Sequence, residues 1–273
     1  METPIEITGL FTYPIKSCRG LSHASVNLDE FGPAWDRRWM LVDSEGGFIT
    51  QRTYPRLAQV SVSVCESDLV VETAGCAGLR VPLESDRGVS RRVIVWRDGC
   101  DAWDEGNDAG AWFTNLLGVP IRLVRMVDSF VRPASPQWVS FSARVSFADA
   151  FPLLLANEAS LVDLNRRLVD RGADRVAMNR FRPNIVIRGA PAWAEDGWKQ
   201  IRVGSLLLDV VKPCTRCVMT TTDQQTGEIP DRAEPLATLA TFRRWENSVV
   251  FAQNVAHHGA GELSIGDAVE VLS

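Results

Sequence analysis

The sequence predicts a β-rich α+β fold, two β-barrel-like domains with a few packed helices, and three observations carry that expectation. Strand-like runs outnumber helical ones. The two clearest helical runs are short and end at glycines. No G-x-G-x-x-G turn joins a strand to a helix and no P-loop is present, so a Rossmann-type architecture is not indicated. With 273 residues, 45% of them hydrophobic, the chain can bury one large core or two modest ones.

Taken in order, residues 5–15 form a β-rich run. Arg38-Trp39-Met40-Leu41-Val42 leads through Glu45-Gly46-Gly47 into Phe48-Ile49-Thr50, as in a meander with short turns. Val60, Val62 and Val64 alternate with serines in period two, and further strands are expected over 69–73, 92–96 and 121–126. Between the last two, Trp112 with Leu116 and Phe113 with Leu117 repeat at i,i+4, and Gly118 followed by Pro120 closes a helix. A second helix is capped by Asn157, carries Leu161, Leu164 and Leu168 as its apolar stripe and stops at Gly172. A third starts at Pro235, a first-turn position where the missing N–H costs nothing, and places Leu236 and Leu239 on one face. Strands over 201–211, 249–253 and 268–272 surround it. Residues 128–136 contain two prolines and no clear period, which places a junction between a first domain, 1–126, and a second, 127–273.

The formal net charge of -5 argues against coating a polyanion such as duplex DNA, so no nucleic-acid partner is expected. No apolar run approaches the roughly eighteen residues of a membrane span, and Met1-Glu2-Thr3-Pro4 lacks a signal peptide's basic start. A cytoplasmic protein with no membrane partner is the expectation. Six cysteines in a chain of this size need not be structural staples, and they are read as reduced.

One segment stands out. An apolar run, Leu206-Leu207-Leu208-Asp209-Val210-Val211, leads into Lys212-Pro213-Cys214-Thr215-Arg216-Cys217, and the proline is expected to stop the strand ladder there. Cations beside a thiol favour the thiolate, the form that binds metals. Four readings of the two cysteines stay open: small buried hydrophobes, zinc ligands, a redox dithiol, or one thiolate ligand to a soft-ligand transition metal. Zinc has only the adjacent His257 and His258 to draw on, and β-branched residues after Cys217 do not open the helix a redox dithiol requires. Elsewhere, basic residues sit among apolar neighbours in Tyr13-Pro14-Ile15-Lys16-Ser17-Cys18-Arg19-Gly20, Asp36-Arg37-Arg38-Trp39, Gln51-Arg52 and Arg180-Phe181-Arg182-Pro183-Asn184. Half-buried guanidinium groups need anionic partners, either the chain's own carboxylates or a phosphate-bearing ligand.

The first two of these segments, residues 13–20 and 36–39, with Asn157-Glu158-Ala159-Ser160-Leu161, Phe181-Arg182-Pro183-Asn184-Ile185-Val186, Cys214-Thr215-Arg216-Cys217 and Ile265-Gly266-Asp267, closely resemble the MOSC-domain proteins. The resemblance is to the mitochondrial amidoxime reducing component and its bacterial relatives, and it runs from about residue 5 to the end. It implies an N-terminal MOSC β-barrel-like domain, then the MOSC domain proper, with a molybdenum-molybdopterin cofactor between them. The metal would be held by the pterin's dithiolene and one protein cysteine. Matching the motif puts that ligand at Cys217, with Thr215 and Arg216 contacting the cofactor and Cys214 as the runner-up. Lys16, Ser17, Arg37, Arg182 and Asn184 fall on further cofactor-binding positions. Two matches fail: Ala150 and Phe151 stand where relatives have small hydroxyl residues before Pro152, and Asn254, still expected to line the cofactor near the metal, stands where they have a tyrosine near the C-terminus.

The function so implied is reduction of N-hydroxylated small molecules, namely amidoximes, hydroxylamines and N-hydroxylated bases. The cysteines show no C-x4-C-x2-C iron-sulfur spacing before the sequence ends at Ser273, so electrons would come from a separate ferredoxin, flavoprotein or haem protein acting on a monomer. The competing function is a molybdenum-cofactor or sulfur carrier without reductase turnover, because MOSC domains also end molybdenum-cofactor sulfurases. His257 and His258 are candidates for proton delivery. Asp209 and Asp223, flanking the cysteines, are candidates there too or simple turn and pairing residues.

Overall fold

The computed structural model describes residues 4–83, 88–139 and 141–273; Met1 to Thr3, read above for a targeting signal, lie outside them. The fold is β-rich α+β. The largest sheet has nine strands. Its order is Val269–Val271, Gln200–Val203, Leu206–Thr215, Ser248–His258, Leu153–Asn157, Ile185–Arg188, Glu6–Thr12 and Leu21–His23, with Arg244–Trp245 paired to Ser248–His258 off that path. One pairing is parallel, Leu153–Asn157 with Ile185–Arg188, and helix Glu158–Asp170 lies in the crossover between them. A four-stranded sheet orders Trp39–Val42, Arg122–Met126, Asp98–Asp104 and Ser90–Val95, and two three-stranded sheets complete the fold. Among the described residues no helix is long and apolar enough to cross a membrane.

Strand pairing crosses the division expected between residues 126 and 127. Glu6–Thr12 pairs antiparallel with Ile185–Arg188, and Ser25–Asp29 with Gly261–Ser264. The start of the chain is therefore an integral strand of the C-terminal sheet, and this delivers residues 13–18 to the seam between the halves.

Burial explains why some strands carry no alternating pattern. In Leu153–Asn157, Leu153 and Leu155 enter one core with Ile7, Leu10, Ile185, Ile187 and Leu208. Leu154 and Ala156 enter another with Leu164, Leu168, Phe181 and Phe251, beneath helix Glu158–Asp170. A strand covered on both faces reads as an unbroken apolar run, because both faces gain from leaving water. The helix is set as expected: the Asn157 side chain accepts from the amide of Ala159 at 3.0 Å, and Gly172 has φ +77° just past its end. Helix Asn107–Leu117 stops at Gly118 in the left-handed conformation and buries Phe113 and Leu116 against Trp39, Leu41 and Leu123.

Four local expectations need correction. Phe48-Ile49-Thr50 forms no strand; Phe48 makes a single bridge to Val42, and Trp39–Val42 pairs instead with Arg122–Met126. Asp98–Asp104 is an unanticipated strand whose inward positions Cys100, Ala102 and Asp104 are too small or polar to advertise a core face. The third helix is one turn, Leu236–Leu239, with Pro235 at its N-cap rather than inside it. Pro213 does not stop the ladder: Leu206–Thr215 keeps pairing with Ser248–His258 as far as Thr215↔Val250, with register shifts on both sides of the proline. Bulges are where a strand tolerates a residue lacking its N–H.

Candidate functional site

Two turns from the first half and two from the second meet around a cleft of about 880 Å³, counting the part open to solvent. Residues 13–18 and 36–39 are laced together by Tyr13 N–H to Asp36 Oδ1 (2.8 Å), Arg37 N–H to the Tyr13 carbonyl (2.9 Å), Lys16 N–H to the Trp39 carbonyl (2.8 Å) and Trp39 N–H to the Pro14 carbonyl (3.0 Å). Gly20 closes against this turn, since a Cβ there would lie 2.4 Å from the Tyr13 ring. From the second half, the single turn Met178–Phe181 ends on Arg182, and the strand Leu206–Thr215 runs out into Arg216 and Cys217.

All nine residues expected at the site, Lys16, Ser17, Arg37, Arg182, Asn184, Thr215, Arg216, Cys217 and Asn254, line this cleft. So does the runner-up, Cys214, as do Ala150 and Phe151. Arg52 and Arg180 join them, giving six cations, against Asp149 as the only carboxylate among the described lining residues and Asp36 and Asp223, outside the lining, paired with Arg37 and Arg180. Such a surplus of positive charge in a partly buried space is stabilised by an anion.

Four of the lining residues hold a backbone conformation that costs energy outside glycine: Ser17 at φ +70°, Arg37 at +50°, Trp96 at +58° and Arg182 at +53°. Left-handed non-glycine residues persist where surrounding contacts over-determine them. Those contacts are visible. Arg37 donates to Asp36 Oδ2 (2.5 Å) and to Asn184 Oδ1 (3.1 Å). Arg182 donates to the Cys18 carbonyl (2.8 Å) and to Gln224 Oε1 (3.3 Å). Both guanidinium carbons lie over the Tyr13 ring, at 4.2 and 4.1 Å from its centroid, and the Tyr13 hydroxyl donates to the Pro183 carbonyl at 3.0 Å. Asn184 binds the whole together, with Oδ1 also accepting from Leu154 N–H (3.1 Å) and Nδ2 donating to the Phe11 carbonyl (3.0 Å).

Burial sets the electrostatics of this wall. It pushes the Tyr13 phenol up to about 12, an effect that Arg182 and Arg37 partly oppose. It pushes the Cys18 thiol up to about 12, leaving that cysteine a hydrophobe. Burial also draws the Lys16 ammonium below the ordinary lysine value while Asp149 opposes the shift, and draws Arg182 down to about 10. At neutral pH the arginine is charged, and its charge is incompletely compensated.

The cysteine wall is looser. Cys217 is exposed, and its sulfur has no hydrogen-bond partner among the described residues. Its backbone is fixed nonetheless: its carbonyl accepts from Thr220 N–H (3.1 Å) and Thr220 Oγ1 (3.0 Å), and the preceding Arg216 N–H donates to the Val249 carbonyl at 2.8 Å. Cys214 is half-buried against the apolar core around Phe181, and its sulfur receives Arg216 Nη1 at 3.0 Å. Arg216 also donates to the Phe181 carbonyl at 2.7 Å, while its Nε is buried without a partner. Asn254 lies opposite Lys212 and donates to the Lys212 and Pro213 carbonyls at 3.3 and 3.4 Å, bracing the bulge that carries the cysteines.

The histidines fall outside the cleft. His257 is buried in strand Ser248–His258, with Nδ1 2.8 Å from the Gly259 carbonyl, and His258 pairs with Asp209 at 3.1 Å while its ring packs on Phe141. The strand runs on past the 249–253 expected for it and carries them away from the bulge at Pro213, to pair with Leu208 and Leu207. Asp209 is thereby a pairing residue, and Asp223 caps a turn through the amides of Gln225 and Thr226 while accepting from Arg180. Sequence reading missed Trp96, Asp149 and Thr220. Trp96 sits in the tight turn between strands Ser90–Val95 and Asp98–Asp104 and was read as a strand end, and Asp149 sits in a segment with no period, but the Thr220-Thr221-Thr222 run after Cys217 was a usable sign of a short turn.

The chain belongs to the MOSC family, whose N-terminal beta barrel domain matches residues 5–120 and whose MOSC domain matches residues 142–270. It is 36% identical to mitochondrial amidoxime-reducing component 1 of Mus musculus, over 97% of this chain and 82% of that protein. The Homo sapiens protein of the same name is 32% identical with the same coverage. Molybdenum cofactor sulfurase of Solanum lycopersicum is 32% identical over 90% of this chain, which spans 32% of that longer protein.

Proposed function

We propose that the cleft binds a molybdenum-pterin cofactor with Cys217 as the protein's ligand to the metal, and that the chain reduces N-hydroxylated small molecules with electrons from a separate protein. The observation that carries this reading is the pairing of six cations with one unengaged thiol on a single cleft, in a chain 36% identical to a protein named for amidoxime reduction.

The residues fit such a group. Among the described residues no cluster of three or more histidine, cysteine, aspartate or glutamate side chains could hold a metal ion, so a metal at Cys217 needs ligands brought by its own cofactor. The buried Nε of Arg216 and the hydroxyls of Ser17 and Thr215, all without a partner among the described residues, offer polar contacts to a ligand. Lys16, Arg37 and Arg182 would meet the anionic part of the ligand, and Thr215 and Arg216 the part next to Cys217. Phe151, Leu154, Phe181 and Met219 supply an apolar lining that limits water and accepts the body of a substrate. When bound, the cofactor supplies the two-electron chemistry that side chains lack. Cleavage of an N–O bond to the corresponding N–H compound and water takes two electrons and two protons, and the electrons come from the partner protein.

A cofactor or sulfur carrier is the second reading, favoured by the match to molybdenum cofactor sulfurase. Turnover separates the two. Cofactor-loaded protein given a reduced chemical donor and benzamidoxime is expected to release benzamidine. Loaded protein that leaves the amidoxime untouched while passing its cofactor to an apo-enzyme would establish the carrier.

A further inference from the structure

Asp149, the single carboxylate lining the cleft, accepts from Lys16 Nζ at 2.5 Å and from Trp96 Nε1 at 3.0 Å through the same oxygen. The two ends of this ion pair are unequally held. The Lys16 side chain is 9% exposed and also donates to the Phe147 carbonyl at 2.8 Å, whereas the Asp149 side chain is 68% exposed. The ammonium therefore stays while the carboxylate is able to leave.

The backbone around Asp149 is pinned by other means. Arg132, 4% exposed and paired with Asp98 at 2.8 Å, donates to the carbonyls of Ser146, Ala148 and Asp149. Moving Asp149 is thus a side-chain rotation that leaves the main chain in place. The amides of Ala148, Asp149, Ala150 and Phe151 donate to no acceptor among the described residues, although all four residues line the cleft. Consecutive unpaired N–H groups beside a buried ammonium are donors of the kind that take phosphate oxygens, and such donors need no hydroxyl side chains at positions 150 and 151.

We propose that Asp149 is an internal anion occupying a phosphate subsite on Lys16, and that it rotates out when the phosphate monoester of a bound cofactor takes its place. The proposal rests on the cofactor-binding reading above and deepens it: Asp149 competes for the subsite rather than serving it, because two anions cannot share one largely buried ammonium without repulsion.

Calorimetric titration of cofactor-free protein with inorganic phosphate at low ionic strength tests this on wild type, Asp149→Asn, Asp149→Ser and Lys16→Met. Phosphate is expected to bind about tenfold or more tighter to both Asp149 variants, and to be lost in Lys16→Met. Equal or weaker binding in both Asp149 variants overturns the proposal, since the carboxylate would then be orienting Lys16. Cofactor-loaded protein forms the second arm. Phosphate should give no heat there, because the cofactor's own phosphate fills the subsite; undiminished binding would overturn the assignment of the subsite to the cofactor. The cofactor-free comparison involves neither metal nor turnover, so a failure of the molybdenum reading would leave its outcome unchanged.

Discussion

On the wall built from residues 13–18, 36–39 and 181–184, Lys16, Arg37 and Arg182 are each tied to protein acceptors, and three backbones are held left-handed to place them. On the opposite wall, around Cys214 to Thr220, the backbone is anchored but the Cys217 sulfur and the Nε of Arg216 have no partner among the described residues. One wall is a finished binding surface; the other is finished only up to the atoms that would touch a ligand. The difference teaches where a substitution should cost stability as well as binding and where it should cost binding almost alone, since groups that satisfy each other inside the protein also contribute to folding.

The largest effect on folding should come from the linchpin of the first wall. Asn184→Ala removes one bond to Leu154 N–H, one to Arg37 and one to the Phe11 carbonyl, leaving buried groups unpaired. A loss of about 3 kcal/mol is expected by urea unfolding. A loss below about 1 kcal/mol would show that this wall is not over-determined.

A smaller folding effect with a larger binding effect is expected on the second wall. Arg216→Lys cannot reach both the Cys214 sulfur and the Phe181 carbonyl, because an ammonium lacks the planar fork. Cofactor release should quicken by about tenfold while stability changes by less than about 1 kcal/mol. The reverse ranking would erase the distinction between the walls.

The mildest test is alkaline. Because burial raises Tyr13 to about 12, the folded state favours the neutral phenol. Its contribution is whole below the ordinary tyrosine value of about 10 and is lost as pH climbs from there toward about 12. The chain has two tyrosines, so ultraviolet titration of a Tyr54→Phe variant isolates Tyr13, whose phenolate should appear near 12. An ordinary titration would mean that the ring between Arg37 and Arg182 is solvated.

Much of the fold was legible where one face of an element is wet. Ser61–Val64 and the two longer helices show their periods plainly. Leu153–Asn157, buried on both faces, shows none, and Asp98–Asp104 hides its core face behind Cys100, Ala102 and a buried Asp104. The site residues were legible through short motifs that keep basic and apolar residues adjacent. What those motifs lacked is the third dimension. Nothing in the order of residues says that Pro213 sits in a bulge, that strand Ser248–His258 carries both histidines away from the cleft, or that Asp149 lies across it against Lys16.

The central claim is that Cys217, and not Cys214, ligates molybdenum brought in by a pterin. Molybdenum and pterin content should therefore be measured in wild type, Cys217→Ala and Cys214→Ala protein from cells able to make the cofactor. Near-stoichiometric molybdenum in wild type and Cys214→Ala, with its protein ligation lost in Cys217→Ala, is the predicted result. Wild-type protein from such cells that carries neither molybdenum nor pterin would contradict the account and return both cysteines to ordinary packing residues.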